Sequence, residues 1–153
     1  MLKVKVADNV AVRAVVKFPL ADIKAGNYVG VAGMPQPDGT QKAIEVLVFP
    51  EAMRGTGDGH YPWDLQPSST MTNASVETTV AGINGPEFTL KYKDGEKRFI
   101  VPPDTPVVTF APSDKSELKP GAKIFIFAAT KLEDGTLEAA AVTVGRDGVA
   151  PPM

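Results

Sequence analysis

One turn-centred pattern occurs twice in this chain. Gly26-Asn27-Tyr28-Val29-Gly30-Val31, then Asp38-Gly39-Thr40, then Ala43-Ile44-Glu45-Val46-Leu47-Val48 is echoed by Gly121-Ala122-Lys123-Ile124-Phe125-Ile126, Asp134-Gly135-Thr136 and Ala139-Ala140-Ala141-Val142-Thr143-Val144. Each copy reads as a β-hairpin built on an Asp-Gly turn, a residue pair that tolerates the positive φ such turns require. Upstream the register holds, with Ile23-Lys24 against Leu118-Lys119, Val12 against Val107, Asn9 against Asp104 and Val6 against Val101. About ten identities fall within roughly 44 positions at an offset of about 95, with one inserted residue. We read this as a duplication, in which each copy is a supersecondary unit that needs a neighbour to bury its apolar face.

Period-2 alternation and turn punctuation place strands near residues 2–6, 10–18, 27–33 and 42–49 in the first copy. In the second copy they fall near 75–83, 87–93, 97–101, 105–111, 122–130 and 137–144, with Asn84-Gly85 and Asp94-Gly95 as further turns. Val10, Val12, Ala14, Val16 and Phe18 should face inward while Arg13 and Lys17 face water, since successive strand side chains alternate faces. The run Phe125 to Ala129 has no polar face and predicts a central strand. Leu20-Ala21-Asp22-Ile23 and Ser116-Glu117-Leu118 leave room for one helical turn each, and Pro50-Glu51-Ala52-Met53 for another. The expected fold is all-β: two related OB-like or β-barrel repeats with about ten short strands in total.

The copies are unequal. A hairpin from Ser75 to Asp94 precedes the second, whereas the first has no such opening hairpin. This divides the chain into an incomplete repeat at 1–50, a connector at 51–74, a second repeat at 75–148 and a tail at 149–153. Four strands with an open edge are marginal alone, so the repeats are expected to pack as one globule or the native chain to start earlier. An open edge also allows an edge-paired dimer beside the monomer. Met1-Leu2-Lys3-Val4-Lys5 has no apolar signal-peptide core.

Composition narrows the chemistry. The 153 residues contain no cysteine and one histidine, so disulfides, thiolate nucleophiles and Cys-ligated zinc are excluded. A net charge of -2 supplies no basic field for nucleic acid. No run approaches the roughly 18 to 20 apolar residues of a bilayer-spanning helix. No nucleotide-binding glycine loop is present, and no cofactor is called for.

At Gly39-Thr40 through Val48, at Gly121 through Val144, and in Gly59-His60-Tyr61-Pro62-Trp63-Asp64-Leu65 with Ser69-Thr70-Met71-Thr72-Asn73, the sequence resembles a family of bacterial exported proteins built from tandem OB-like β-barrel repeats, a domain of unknown function. Some relatives bear a metal-transporter label. The resemblance implies export to the periplasm through an upstream signal segment. It carries turns and core positions and assigns no functional residue.

Residues 51–74 hold the candidate chemistry. His60 with Glu51, Asp58 and Asp64 offers imidazole and carboxylates for zinc or manganese, at a spacing that matches no recognised ligand pattern. An Asp-Gly-His stretch is more often simply a turn. Tyr61 and Trp63 around Pro62 could present an aromatic patch to a ligand or partner, although the favoured reading is that they pin the connector down, which predicts a buried Trp63. Lys91-Tyr92-Lys93 with Lys97-Arg98 is the nearest match to an oligonucleotide surface. Alternation puts Tyr92 on the face opposite Lys91 and Lys93, so a solvated hairpin is the preferred reading. Ser68 or Ser69 with His60 and Asp64 assembles no convincing triad, and no catalytic set is read anywhere. The sequence therefore points to a non-enzymatic binding module of the envelope, engaging a protein or small ligand through barrel-rim loops. The alternatives are metal binding at the His60 cluster and oligonucleotide binding.

Overall fold

The computed structural model describes residues 2–151. Met1, and residues 152 and 153 of the expected tail, lie outside the described residues. The chain is all-β, and eleven strands are present among the described residues. They are β1 (Val4–Lys17), β2 (Tyr28–Pro35), β3 (Gln41–Val48), β4 (Gly59–Pro62), β5 (Thr70–Val80), β6 (Glu87–Tyr92), β7 (Gly95–Ile100), β8 (Val107–Pro112), β9 (Ile124–Phe125), β10 (Thr130–Lys131) and β11 (Leu137–Gly145). Single 3-10 turns occupy Leu20–Asp22, Glu51–Met53 and Lys115–Glu117, where proline or an Asp N-cap opens the turn. Two compact units result, one of residues 17–109 and one of residues 2–16 with 110–151.

The larger unit holds a closed five-stranded barrel of OB-like kind. Around it, β2 pairs antiparallel with β3 and β5, β5 with β6, and β6 with β7. Gln41 and Lys42 of β3 then pair in parallel with Phe99 and Ile100 of β7, which closes the circle and leaves no open edge. Alternate residues fill the interior: Val29 and Val31, Val46 and Val48, Ala74 and Val76, Phe88 and Leu90, Phe99 and Val101. Burial of each such aliphatic or aromatic side chain stabilises by about 1.5–3 kcal/mol before entropy is counted. Gly33 suits this packing, since a Cβ there would stand 3.0 Å from the Phe99 ring and the ring would have to give way.

Residues 51–74 are more than a connector. They carry a 3-10 turn, all of β4 and the first half of β5, and β4 pairs with β5 from Gly59↔Asn73 to Pro62↔Thr70. The first half of β5 is hard to read because its buried residues, Thr72, Asn73 and Ala74, are small or polar and give no apolar alternation.

The smaller unit is built on β11. It pairs in parallel with β1, from Val4↔Leu137 to Val15↔Gly145 with an irregularity between Val6 and Ala11, so the two strands expected at 2–6 and 10–18 are one. Ala14 and Val15 are both fully buried, so the alternation expected there does not hold at Val15. The other edge of β11 takes β9 and β10. The central strand expected over 122–130 is not formed: only Ile124–Phe125 and Thr130–Lys131 are strand, and Phe127 is 84% exposed. An apolar run becomes a central strand only when neighbours cover both its edges, and among the described residues β11 alone pairs with it.

The same register recurs in both units. Val46↔Val107, Leu47↔Val108 and Val48↔Thr109 in the larger correspond to Val142↔Val12, Thr143↔Arg13 and Val144↔Ala14 in the smaller. Val29↔Val48 corresponds likewise to Ile124↔Val144. The turns match as well: Thr40 N–H donates to Asp38 Oδ1 at 3.0 Å and Thr136 N–H to Asp134 Oδ1 at 3.0 Å. These threonine hydroxyls, with the N–H groups, hold both aspartates below the usual carboxylate range. Each unit thus takes its hairpin from one half of the sequence and its parallel strand from the other.

Candidate functional site

A cleft of about 340 Å³ opens at the rim of the closed barrel. It is lined by Met34 at the end of β2, Lys42, Ala43 and Ile44 of β3, Gln66, and the segment 102–106 between β7 and β8. Three local devices position these groups. The Thr105 N–H donates to Pro102 O at 3.0 Å, and Val46 N–H donates to Pro106 O at 2.9 Å, which ties the 102–106 turn to β3. Gln66 is set by Ser69, whose hydroxyl donates to Gln66 O at 2.8 Å and to Trp63 O at 2.9 Å and accepts from Gln66 N–H at 3.0 Å. Lys42 and Ala43 are fixed by the β2 and β7 ladders.

Thr105 lines the cleft, and its hydroxyl oxygen is buried and makes no hydrogen bond among the described residues. Leaving such a group unpaired costs about 1–3 kcal/mol. With the exposed Lys42 and Asp104 and the Gln66 carboxamide, the lining presents a cation, a carboxylate, a hydroxyl and an amide within one concavity. None of the four was singled out in the sequence, because 42, 66, 104 and 105 share no local motif.

The residues that were singled out sit elsewhere on the larger unit. Glu51 is bound to Arg54 at 2.5 Å. Asp58 accepts from the Lys93 N–H at 2.8 Å, Asp64 is exposed, and His60 faces Thr72, with Nδ1 and Oγ1 2.7 Å apart. Among the described residues no three His, Asp or Glu side chains converge. Burial, then the nearby Lys97 charge, lowers the His60 pKa, and its ring stacks on Tyr92 at 6.1 Å.

Tyr61 and Trp63 meet edge to face at 6.2 Å and are half-buried, so Trp63 is neither an open platform nor the buried anchor expected of it. The Tyr61 hydroxyl accepts from Asn73 Nδ2 at 3.3 Å and donates to Gly57 O at 3.3 Å, and burial raises its pKa. Beneath it Tyr28 donates to Thr56 O at 2.9 Å, and burial, then the Asp58 charge, pushes its pKa up to about 12. Tyr61 and Asn73 thus tie β4 and the preceding loop to β5.

Of the oligonucleotide set, Lys91 lies 3.7 Å from Glu77 and Arg98 3.5 Å from Glu87. Lys97 lies near His60, and the Tyr92 ring is engaged by His60. Stacking on Tyr92 and phosphate binding at Lys91 and Arg98 would each have to displace a partner already present.

No known protein family, curated protein or solved structure matches the chain. No helix among the described residues is long and apolar enough to cross a membrane.

Proposed function

We propose that the protein is a non-enzymatic binding module whose ligand is a small polar molecule, or a polar group of a partner, held in the rim cleft of the closed barrel. The observation that carries this reading is the rim cleft itself, which brings Lys42, Gln66, Asp104 and Thr105 together in one concavity of the closed barrel. Its lining extends the logic: Lys42 and Asp104 give a ligand both charge signs to meet at the mouth, and Gln66 gives it a donor and an acceptor. The frame suits the task, since a barrel without edges holds its rim groups without reorganisation. The resemblance to exported tandem-barrel proteins supports the periplasm as its place of work, and the recurring strand register supports its tandem-repeat origin.

The test is a nuclear magnetic resonance titration of the full chain with sugars, amino acids and dipeptides. Saturable shifts clustered on Lys42, Ala43, Gln66 and Thr105, and lost in Lys42→Ala, are expected. Shifts scattered over the surface, or untouched by Lys42→Ala, contradict the reading.

A further inference from the structure

We infer that the ligand of the rim cleft is a zwitterion with an apolar side chain, a free aliphatic amino acid or a dipeptide of such residues, with its carboxylate against Lys42 and its ammonium against Asp104. The inference rests on the reading of the rim cleft as a binding site and adds the chemical class of what the cleft holds.

The two charges are the starting point. Lys42 and Asp104 line one concavity, and both are exposed. The ion pairs of the larger unit lie elsewhere, between Glu51 and Arg54, Lys91 and Glu77, and Arg98 and Glu87. Among the described residues the side chains of Lys42 and Asp104 have no ion-pair or hydrogen-bond partner, and they do not pair with each other. Both are rooted in stiff backbone. Lys42 lies opposite Met34 in the β2 ladder and Ile100 in the β7 ladder. Asp104 belongs to Pro102-Pro103-Asp104-Thr105-Pro106, where prolines fix φ on both sides of it. Little backbone therefore has to be ordered when a ligand arrives.

One charge of each sign discriminates among ligands. A lone carboxylate is attracted by Lys42 and repelled by Asp104, and a lone amine the reverse. A neutral sugar satisfies neither charge while drawing both partly out of water. An ammonium and a carboxylate on one short frame are attracted at both ends.

The rest of the lining says what lies beside them. Met34, Ala43, Ile44, Pro102 and Pro106 supply apolar wall, which suits an aliphatic side chain better than a hydroxylated one. The Gln66 carboxamide offers a donor and an acceptor to a peptide group. A volume of about 340 Å³ stands at the small end of ligand pockets, which span roughly 300–1,000 Å³, and suits one or two residues.

The test titrates the full chain, by nuclear magnetic resonance, with leucine, leucyl-leucine, N-acetyl-leucine, leucinamide and glucose. Saturable shifts at Lys42, Gln66 and Asp104 are expected with the two zwitterions, and the tighter of them identifies the source. N-acetyl-leucine lacks the ammonium and leucinamide the carboxylate, so each should bind about tenfold or more weaker than leucine, as the loss of one charge-assisted hydrogen bond requires. Asp104→Asn should weaken leucine about tenfold, yet leave N-acetyl-leucine unchanged or tighter, because it removes an attraction from one and a repulsion from the other. Tm should stay the same, since the side chain is exposed and unpaired among the described residues. Glucose, N-acetyl-leucine or leucinamide binding at these residues as tightly as leucine overturns the zwitterion and leaves the cleft a binding site. Absence of shifts there with every probe overturns both the inference and the reading beneath it.

Discussion

Val46 of β3 lies directly opposite Val107 of β8 in a parallel pair, and both side chains are buried. Parallel pairing cannot come from a tight turn, and here it joins segments about 60 residues apart, so it costs loop entropy that the enclosed core must offset. Phe99 supplies much of that core where β3 meets β7. Phe99→Ala should cost about 3–5 kcal/mol in urea unfolding, because it empties a position with no exposure. Val4, its half-buried counterpart, should cost clearly less on replacement by alanine.

Gly30 and Asn73 form a second coupled pair. A Cβ at Gly30 would stand 2.6 Å from Asn73 Oδ1 and 3.2 Å from the Phe49 ring, so Gly30→Ala should destabilise by about 1–3 kcal/mol. Asn73→Ala should remove most of that penalty when combined with it. A double-mutant cycle by denaturant unfolding measures the coupling. Additive effects would show that the strands relax apart.

Thr105 predicts a gain in stability on substitution. Thr105→Val replaces a buried hydroxyl that has no partner among the described residues with a methyl group and should raise Tm. Differential scanning calorimetry checks it. A fall in Tm would mean that the hydroxyl is satisfied in solution.

Glu117 governs the acid side of the smaller unit. The Arg146 guanidinium, bonded to it twice at 2.9 Å, and then the Ser113 hydroxyl lower its pKa to about 2. Because the folded value lies below the unfolded value of 4.5, the group's contribution is complete above 4.5 and disappears as pH falls through about 2. Glu117→Gln should therefore lower Tm at pH 7, and its difference from the native protein should shrink as pH falls from 4.5 toward about 2. A difference independent of pH would point to packing rather than charge.

Much of the barrel was legible in the sequence. The Asp38-Gly39-Thr40 and Asp134-Gly135-Thr136 turns announce themselves because aspartate and glycine there serve local geometry, with φ of 88° and 85° at the glycines. What the chain does not display locally is which distant strands meet, since the pairing of Gln41 with Phe99 follows from closure and not from alternation. The apolar run at 125–129 misled for the same reason: its character describes what it could pair with, not the neighbours it has. The candidate site was legible only in outline. Rim loops were named in general, but Lys42, Gln66, Asp104 and Thr105 converge through the fold alone, while His60 and Tyr92, conspicuous in sequence, pack against each other.

The most direct test of the account is residue-resolved hydrogen exchange on the full chain, comparing Val29 and Val31 with Ile124 and Ile126. A closed barrel in one unit and an open counterpart in the other predict that the β2 amides exchange only with global unfolding, and that Ile124 and Ile126 exchange at least about a hundredfold faster. Equal protection at the two sets would contradict it.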